Sequence, residues 1–229
     1  MEKFVSVTNP KVIENLKLQI SNSRIIDWAT EFNKDAGISY DRLFYILDYW
    51  KNKFSWEKSE RELNSFNQFY FIDNGLKTHF LHLKSPEDNA LPLLLIHGWP
   101  GSIFEFFDLI PLLTNPNKNN FLGNQPFDLV IPSLPNVGFS FSKNQKPMDL
   151  VEISDHFVKL MNCLGYKNYF IQGGDLGSFV ASIMSNKDPD SVKGIHLNML
   201  PIPRGLDKTP KNKAEEIYYL KLKKFILYE

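Results

Sequence analysis

The residues best suited to chemistry lie in one run, Tyr169-Phe170-Ile171-Gln172-Gly173-Gly174-Asp175-Leu176-Gly177-Ser178. Its apolar start reads as a strand and its end as the first turn of a helix. A carboxylate flanked two positions away by Gly173 and Gly177 has the pattern of a nucleophile on a tight strand-to-helix turn. Such a turn leaves no room for side chains at the flanking positions and strains the backbone of the residue at its apex. A carboxylate attacking carbon displaces a leaving group and forms an alkyl ester, which suits epoxides and alkyl halides rather than esters. The helix N-terminus favours the ionised form. In the alternative reading Asp175 only caps the helix, because aspartate is a good N-cap and Gly-Gly is an ordinary loop.

A second run bears on that choice. His97-Gly98-Trp99-Pro100-Gly101-Ser102 directly follows the apolar stretch Leu93-Leu94-Leu95-Ile96. In α/β-hydrolases the loop after an early strand supplies one backbone N–H to an oxyanion hole, and the residue after the nucleophile supplies the other. Those donors are here the amides of Trp99 and Leu176, which hold the Asp175 carboxylate and then stabilise a tetrahedral intermediate. The competing reading is a plain turn with an aromatic plug. The two runs occur in the right order about eighty residues apart, which counts against it.

These residues need a sheet to hold them. Leu93–Ile96, Phe127–Ile131, Tyr169–Ile171 and Val192–Leu197 are short apolar runs, as in strands buried on both faces of a parallel sheet. Between them the spacing predicts helices over Phe104–Leu113, Ile153–Leu164 and Ser178–Ser185. Alternating strands and helices imply right-handed crossovers and an α/β sheet. Before them, Val12, Leu16 and Ile20, then Leu43, Phe44, Leu47 and Trp50, recur at helical spacing, with Ser39 or Asp41 as the cap of the second helix. Phe69–Ile72 and Thr78–Leu83 flank Asp73-Asn74-Gly75, a strong hairpin signal. Asn115–Asn124 reads as a solvated loop.

The composition fits a globular chain: 229 residues, 26 basic and 26 acidic side chains, 43% hydrophobic. Zero net charge offers no basic face to nucleic acid or to an anionic membrane. The one cysteine, Cys163, excludes an internal disulfide framework and suits a reducing compartment. Neither a signal peptide nor a membrane span of ~18 apolar residues is visible. The 19 Phe, 9 Tyr and 4 Trp suit an apolar, aromatic-rich pocket.

The chain resembles the epoxide hydrolases of the microsomal type, and the likeness covers nearly its whole length. It rests on Tyr49-Trp50-Lys51 through Phe54-Ser55-Trp56, Glu60–Asn64, Phe66–Phe69 and His79–His82. It continues through residues 97–102 with Glu105-Phe106, Pro132–Pro135 with Gly138–Ser140, residues 173–178, and Val192–Met199. The resemblance implies an α/β-hydrolase fold with a mostly parallel sheet, after a helical and hairpin N-terminal domain. It divides the chain into an N-terminal domain at 1–90, a partial core at 91–203 and the start of a lid at 204–229. It also implies hydrolysis of apolar epoxides to vicinal diols. Asp175 opens the ring while two lid tyrosines protonate the leaving oxygen, and a histidine–acid pair then activates water to cleave the ester. Leu176 stands where the family usually has tryptophan, which keeps the amide but alters a pocket wall. Asn136-Val137 stands in place of the usual Gly-Tyr.

In this fold the acid and histidine follow the nucleophile. His196 is the one histidine after Asp175, and its apolar strand marks it as a core residue. Asp188, Asp190 and Asp207 follow the elbow too closely and read as turn and surface residues. Tyr218, Tyr219 and Tyr228 lie where the lid begins, on a Lys-rich helix over Ala214–Leu227, and read as a solvated face. The expectation is therefore that the general base and its acid are absent from these residues. About ninety residues go to the N-terminal unit and about 140 remain, where a core plus lid routinely takes more than about 200. A truncated chain is the expectation, with its last strands and most of its lid missing and Val192–Leu197 left as an apolar edge able to pair with another chain.

Two other readings stay open. A haloalkane dehalogenase uses the same aspartate but usually has a tryptophan beside it and lacks the N-terminal unit. A non-catalytic remnant would bind apolar ligands or a partner protein. The expected partners are a small apolar epoxide and water, with no cofactor, no metal and no nucleic acid. The expected location is the cytoplasm or the periphery of the endoplasmic reticulum membrane.

Overall fold

The computed structural model describes residues 1–25, 37–118, 124–200 and 209–227, with side chains described up to residue 221. Its strands are β1 (Glu2–Phe4), β2 (Gln68–Asp73), β3 (Leu76–Leu83), β4 (Leu91–Ile96), β5 (Phe127–Pro132), β6 (Tyr169–Gly173) and β7 (Val192–Leu197). Its helices are α1 (Pro10–Asn22), α2 (Tyr40–Asn52), α3 (Trp56–Asn64), α4 (Leu109–Thr114), α5 (Leu150–Cys163), α6 (Leu176–Lys187) and α7 (Lys213–Leu227). The seven strands form one sheet in the order β1-β2-β3-β5-β4-β6-β7.

Local signals account for much of this. Ser39, not Asp41, caps α2, its side chain accepting from the Arg42 N–H. Asp149 and Glu152 form a reciprocal capping box at the start of α5. Asn74 and Gly75 both take positive φ, 51° and 80°, as the two-residue turn between β2 and β3 requires.

The strands β5, β4, β6 and β7 are parallel neighbours. Period-two alternation sends the side chains of β4 and β5 into two cores, one on each face, while β6 and β7 reach only the first. Leu94, Ile96, Val130 and Ile171 pack with Phe157 and Leu160 of α5 and Val180 and Met184 of α6. Leu95, Leu129 and Ile131 pack on the other side with Leu63, Ile103, Phe106 and Ile110. Each such side chain contributes about 1.5–3 kcal/mol by leaving water.

The structure departs from the sequence reading in four places. The sheet is mixed rather than mostly parallel, because the hairpin joins it: β3 pairs antiparallel with β5, so the sheet runs continuously across residue 90. A short N-terminal strand, β1, is added beside β2. The helix expected over Phe104–Leu113 is broken into a 3₁₀ turn, Ile103–Phe106, and α4. Pro111 explains the break, since proline is tolerated in a first helical turn but not in a helix interior. Finally, His196 is not a core residue. It is exposed, because β7 is an edge strand bonded to β6 alone among the described residues, and Ile195 beside it is 42% exposed.

Candidate active site

The junction of β6 and α6 is the tight turn expected. Asp175 takes φ 50° and ψ −123°, a conformation that costs about 1–3 kcal/mol and persists only where its surroundings enforce it. The enforcement is visible in the glycines. A Cβ on Gly173 would run into the Gly177 carbonyl oxygen, and one on Gly177 would run into the Ile96 carbonyl oxygen at the end of β4. The first helical bonds close the turn, Gly177 N–H to Gly174 O at 2.8 Å and Ser178 N–H to Asp175 O at 3.0 Å.

The side chain of Asp175 makes no capping bond to its helix. It turns to the loop after β4, where Oδ1 accepts the Trp99 N–H at 2.9 Å. The cap reading is thereby set aside. Leu176 is the first residue of α6, so its N–H belongs to the initial amides that have no intrahelical partner.

His97 fixes this loop from beneath. It is buried; its Nε2 accepts the Leu134 N–H at 2.9 Å and its Nδ1–H donates to the Gly98 carbonyl at 2.7 Å. That network requires the neutral Nδ1–H tautomer. Burial lowers its pKa, against the opposing pull of the Gly98 bond.

The site opens as a shallow cleft of about 430 Å³ lined by Gly98, Trp99, Glu105, Asp175, Asn198 and Met199, among others. Trp99 stands 67% exposed at its rim. Asn198, at the end of β7, packs its side-chain amide against Gly174. A larger apolar cleft of about 830 Å³ adjoins it, shares Glu105 and Asn198, and is walled by Leu93, Leu95, Phe106 and Phe170. In the sequence Glu105 and Asn198 stand only inside longer runs of family resemblance, with no local signal of a site. What puts them here is tertiary packing, which no local spacing encodes.

The other named residues lie elsewhere. His79 bonds Ser133 and Gln68, His82 bonds Tyr166, and His156 bonds Thr78. Among the described residues no histidine bonds Asp175. Asp188 ends α6 and accepts from the Tyr169 hydroxyl at 3.3 Å, while the Asp190 carbonyl accepts from Lys193. Tyr218 and Tyr219 meet edge to face on α7. Asp207 and Tyr228 lie outside the described residues, as do residues 119–123 of the asparagine-rich loop. Among the described residues no group of three or more His, Cys, Asp or Glu can hold a metal, and no helix is long and apolar enough to cross a membrane.

An aspartate on a strained turn after a parallel strand, faced by an oxyanion-type loop, defines the hydrolase class of α/β sheets. Comparison with known families agrees. The alpha/beta hydrolase fold family matches residues 92–222, and Epoxide hydrolase N terminus matches residues 1–106. The chain belongs to the α/β-hydrolase fold family, in the branch that carries an epoxide hydrolase N terminus. Epoxide hydrolase 1 of Oryctolagus cuniculus is 38% identical over 205 residues, covering 88% of this chain and 45% of that protein. Juvenile hormone epoxide hydrolase 1 of Ctenocephalides felis is 38% identical over 195 residues, covering 83% and 41%. The solved structure of Aspergillus niger epoxide hydrolase superposes with a TM-score of 0.78 at 30% identity, covering 98% of this chain and 60% of that one. The chain spans a little under half the length of the curated relatives it matches.

Proposed function

We propose that this chain carries the nucleophilic half of an epoxide hydrolase, with Asp175 as the nucleophile. The observation that carries the reading is the Asp175 side chain, strained at the apex of the elbow and held through Oδ1 by the Trp99 amide. That bond leaves Oδ2 to attack. Oδ2 bonds to one epoxide carbon, the C–O bond of the ring breaks, and the released alkoxide takes up a proton. The product is a hydroxyalkyl ester of Asp175. Water attack at the ester carbonyl then forms a tetrahedral intermediate whose oxyanion meets the amides of Trp99 and Leu176. Its collapse releases a vicinal diol and restores the carboxylate. Apolar epoxides suit the adjoining cleft. We place the N-terminal unit at 1–90, the core at 91–203 and the lid from 204. We assign the chain to the cytoplasm or the periphery of the endoplasmic reticulum membrane.

No residue described here is assigned as general base, so the ester is expected to accumulate. Incubation with a styrene-type epoxide, followed by intact-mass measurement, tests this. The expected result is a single added epoxide on the wild type and none on Asp175→Asn. No adduct, or an adduct that survives in Asp175→Asn, contradicts the reading, and steady diol release contradicts its second part. The exposed edge at Ile195 supports a second reading, in which the chain binds a partner strand without turnover; an alkylated Asp175 excludes a purely non-catalytic chain.

A further inference from the structure

The N–H that holds Asp175 and the carbonyl that His97 grips belong to one peptide unit. The Gly98–Trp99 peptide is trans, so its C=O and N–H point to opposite sides. Its N–H donates to Asp175 Oδ1 at 2.9 Å, and its C=O accepts from His97 Nδ1 at 2.7 Å. Turning this peptide to aim the N–H elsewhere breaks both bonds. Gly98 allows the close approach, because a Cβ there would collide with the Asp175 Cβ.

The ring is itself held. His97 is only 1% exposed, and its Nε2 accepts the Leu134 N–H at 2.9 Å. Neither partner can reverse its role, since a backbone N–H only donates and a carbonyl only accepts. The ring is therefore neutral with its proton on Nδ1, and a proton on Nε2 instead would lose both bonds. Leu134 is fixed in turn by the loop after β5. The Ser133 N–H donates to the His79 carbonyl at 2.9 Å, and the His79 N–H donates to the Ser140 hydroxyl at 2.9 Å. That hydroxyl donates to the Ser133 carbonyl at 2.8 Å. A continuous line of support thus runs from β3 through Leu134 and His97 to the amide at Asp175.

We propose that His97 is a positioning residue: through Nδ1 it orients the Gly98–Trp99 peptide so that the Trp99 N–H faces Asp175. The role rests on Asp175 being the nucleophile. It gives the N-terminal hairpin a part in the site, because β3 anchors the loop on which His97 leans. A nucleophile misplaced by about 1 Å loses about a hundredfold in rate.

The test compares the wild type with His97→Asn and His97→Gln, which both remove the ring but keep different bonds. Asparagine places an amide nitrogen near the position of Nδ1 and keeps the donor to the Gly98 carbonyl. Glutamine reaches toward Leu134 and keeps that bond through its oxygen, but it has no donor at the Nδ1 position. His97→Gln is expected to slow alkylation by a styrene-type epoxide at least about tenfold. The loss should fall in the maximal rate, with the half-saturating epoxide concentration unchanged. His97→Asn should stay within about threefold of the wild type. A full rate in His97→Gln overturns the proposal, and so does an equal loss in both variants, which would mark the ring as core packing alone. Two readouts need no epoxide. Hydrogen exchange at the Trp99 amide should accelerate in His97→Gln and not in His97→Asn, and unchanged exchange in His97→Gln overturns the proposal. Ring-nitrogen NMR of the wild type should find the His97 proton on Nδ1, and a proton on Nε2 overturns it even where neither variant folds. If the wild type is never alkylated, the proposed chemistry fails, and the exchange and the tautomer still decide whether His97 orients the peptide.

Discussion

Lowering the pH from about 7.5 to about 5 should unfold this chain more readily, and the buried His79 should be one of the principal reasons. His79 is fully buried on β3, and desolvation pulls its pKa from 6.5 to about 3. Its Nε2 faces the Gln68 carbonyl oxygen and its Nδ1 the Ser133 hydroxyl, each at 3.0 Å. The neutral ring satisfies both, and its desolvated charged form is disfavoured. A histidine whose pKa is depressed on folding leaves the unfolded chain binding more protons between the two pKa values. Stability is therefore intact above the unfolded pKa and falls as the pH drops below it. From 6.5 to 5 is 1.5 units, and at 1.36 kcal/mol per unit the loss is about 2 kcal/mol. His156 is also buried and is pulled to about 4, still below pH 5, so it adds a loss of similar size, about 2 kcal/mol. Urea unfolding followed by tryptophan fluorescence measures the sum. With a slope of about 2 kcal/mol per molar urea, the His79 share moves the midpoint by about 1 M. Glu, Asp and lysine titrations contribute equally to the wild type and to His79→Gln, so the comparison isolates one ring. Glutamine is less stable at neutral pH but should lose about 2 kcal/mol less on acidification. Equal acid losses in the two proteins would refute the reasoning.

Gly177→Ala should destabilise the fold by about 2–4 kcal/mol or abolish soluble expression, because its methyl group meets the Ile96 carbonyl rather than a flexible side chain; thermal melting checks this. Gly165→Ala, where nothing lies within 4 Å but φ is +82°, should cost only about 1 kcal/mol by the same measurement. Asp175→Gly should raise the melting temperature by relieving about 1 kcal/mol of backbone strain while abolishing alkylation, so stability and reactivity move in opposite directions. Asp128→Ala should cost about 2–3 kcal/mol in urea unfolding, because its carboxylate takes hydrogen bonds from Lys84 at 2.7 Å, the Ser85 amide at 2.9 Å and the Tyr166 hydroxyl at 3.3 Å.

The elements legible in the sequence were those whose cause is local. Asn74-Gly75 announces its turn because few other residues accept two successive positive φ values, and Gly173 and Gly177 announce the elbow because any side chain there collides with a carbonyl. The strands β4 to β7 were legible as apolar runs, and β4 and β5, covered on both faces, have no polar side to show. β1 was not, because Glu2-Lys3-Phe4 is a three-residue strand that exists only by pairing with Phe69 and its neighbours. The hairpin was legible but its partner was not: the pairing of Leu81 with Ile131 joins segments fifty residues apart, and strand order is set by packing. His196 shows the same limit, since an apolar run does not say which strand ends the sheet. In the site, Asp175 and Trp99 could be named from two motifs. The nearness of Glu105 to the Trp99 loop, where its Oε1 would meet a Cβ on Gly101, needed the fold that brings the 3₁₀ turn beside it.

Peptide mapping of the chain after exposure to a styrene-type epoxide tests the central claim most directly. Tandem mass spectrometry of the peptide that spans the β6–α6 junction should place one epoxide-derived group on the Asp175 side chain, as an ester released by mild alkali. An adduct on Glu105, Cys163 or a histidine with Asp175 unmodified would contradict the account.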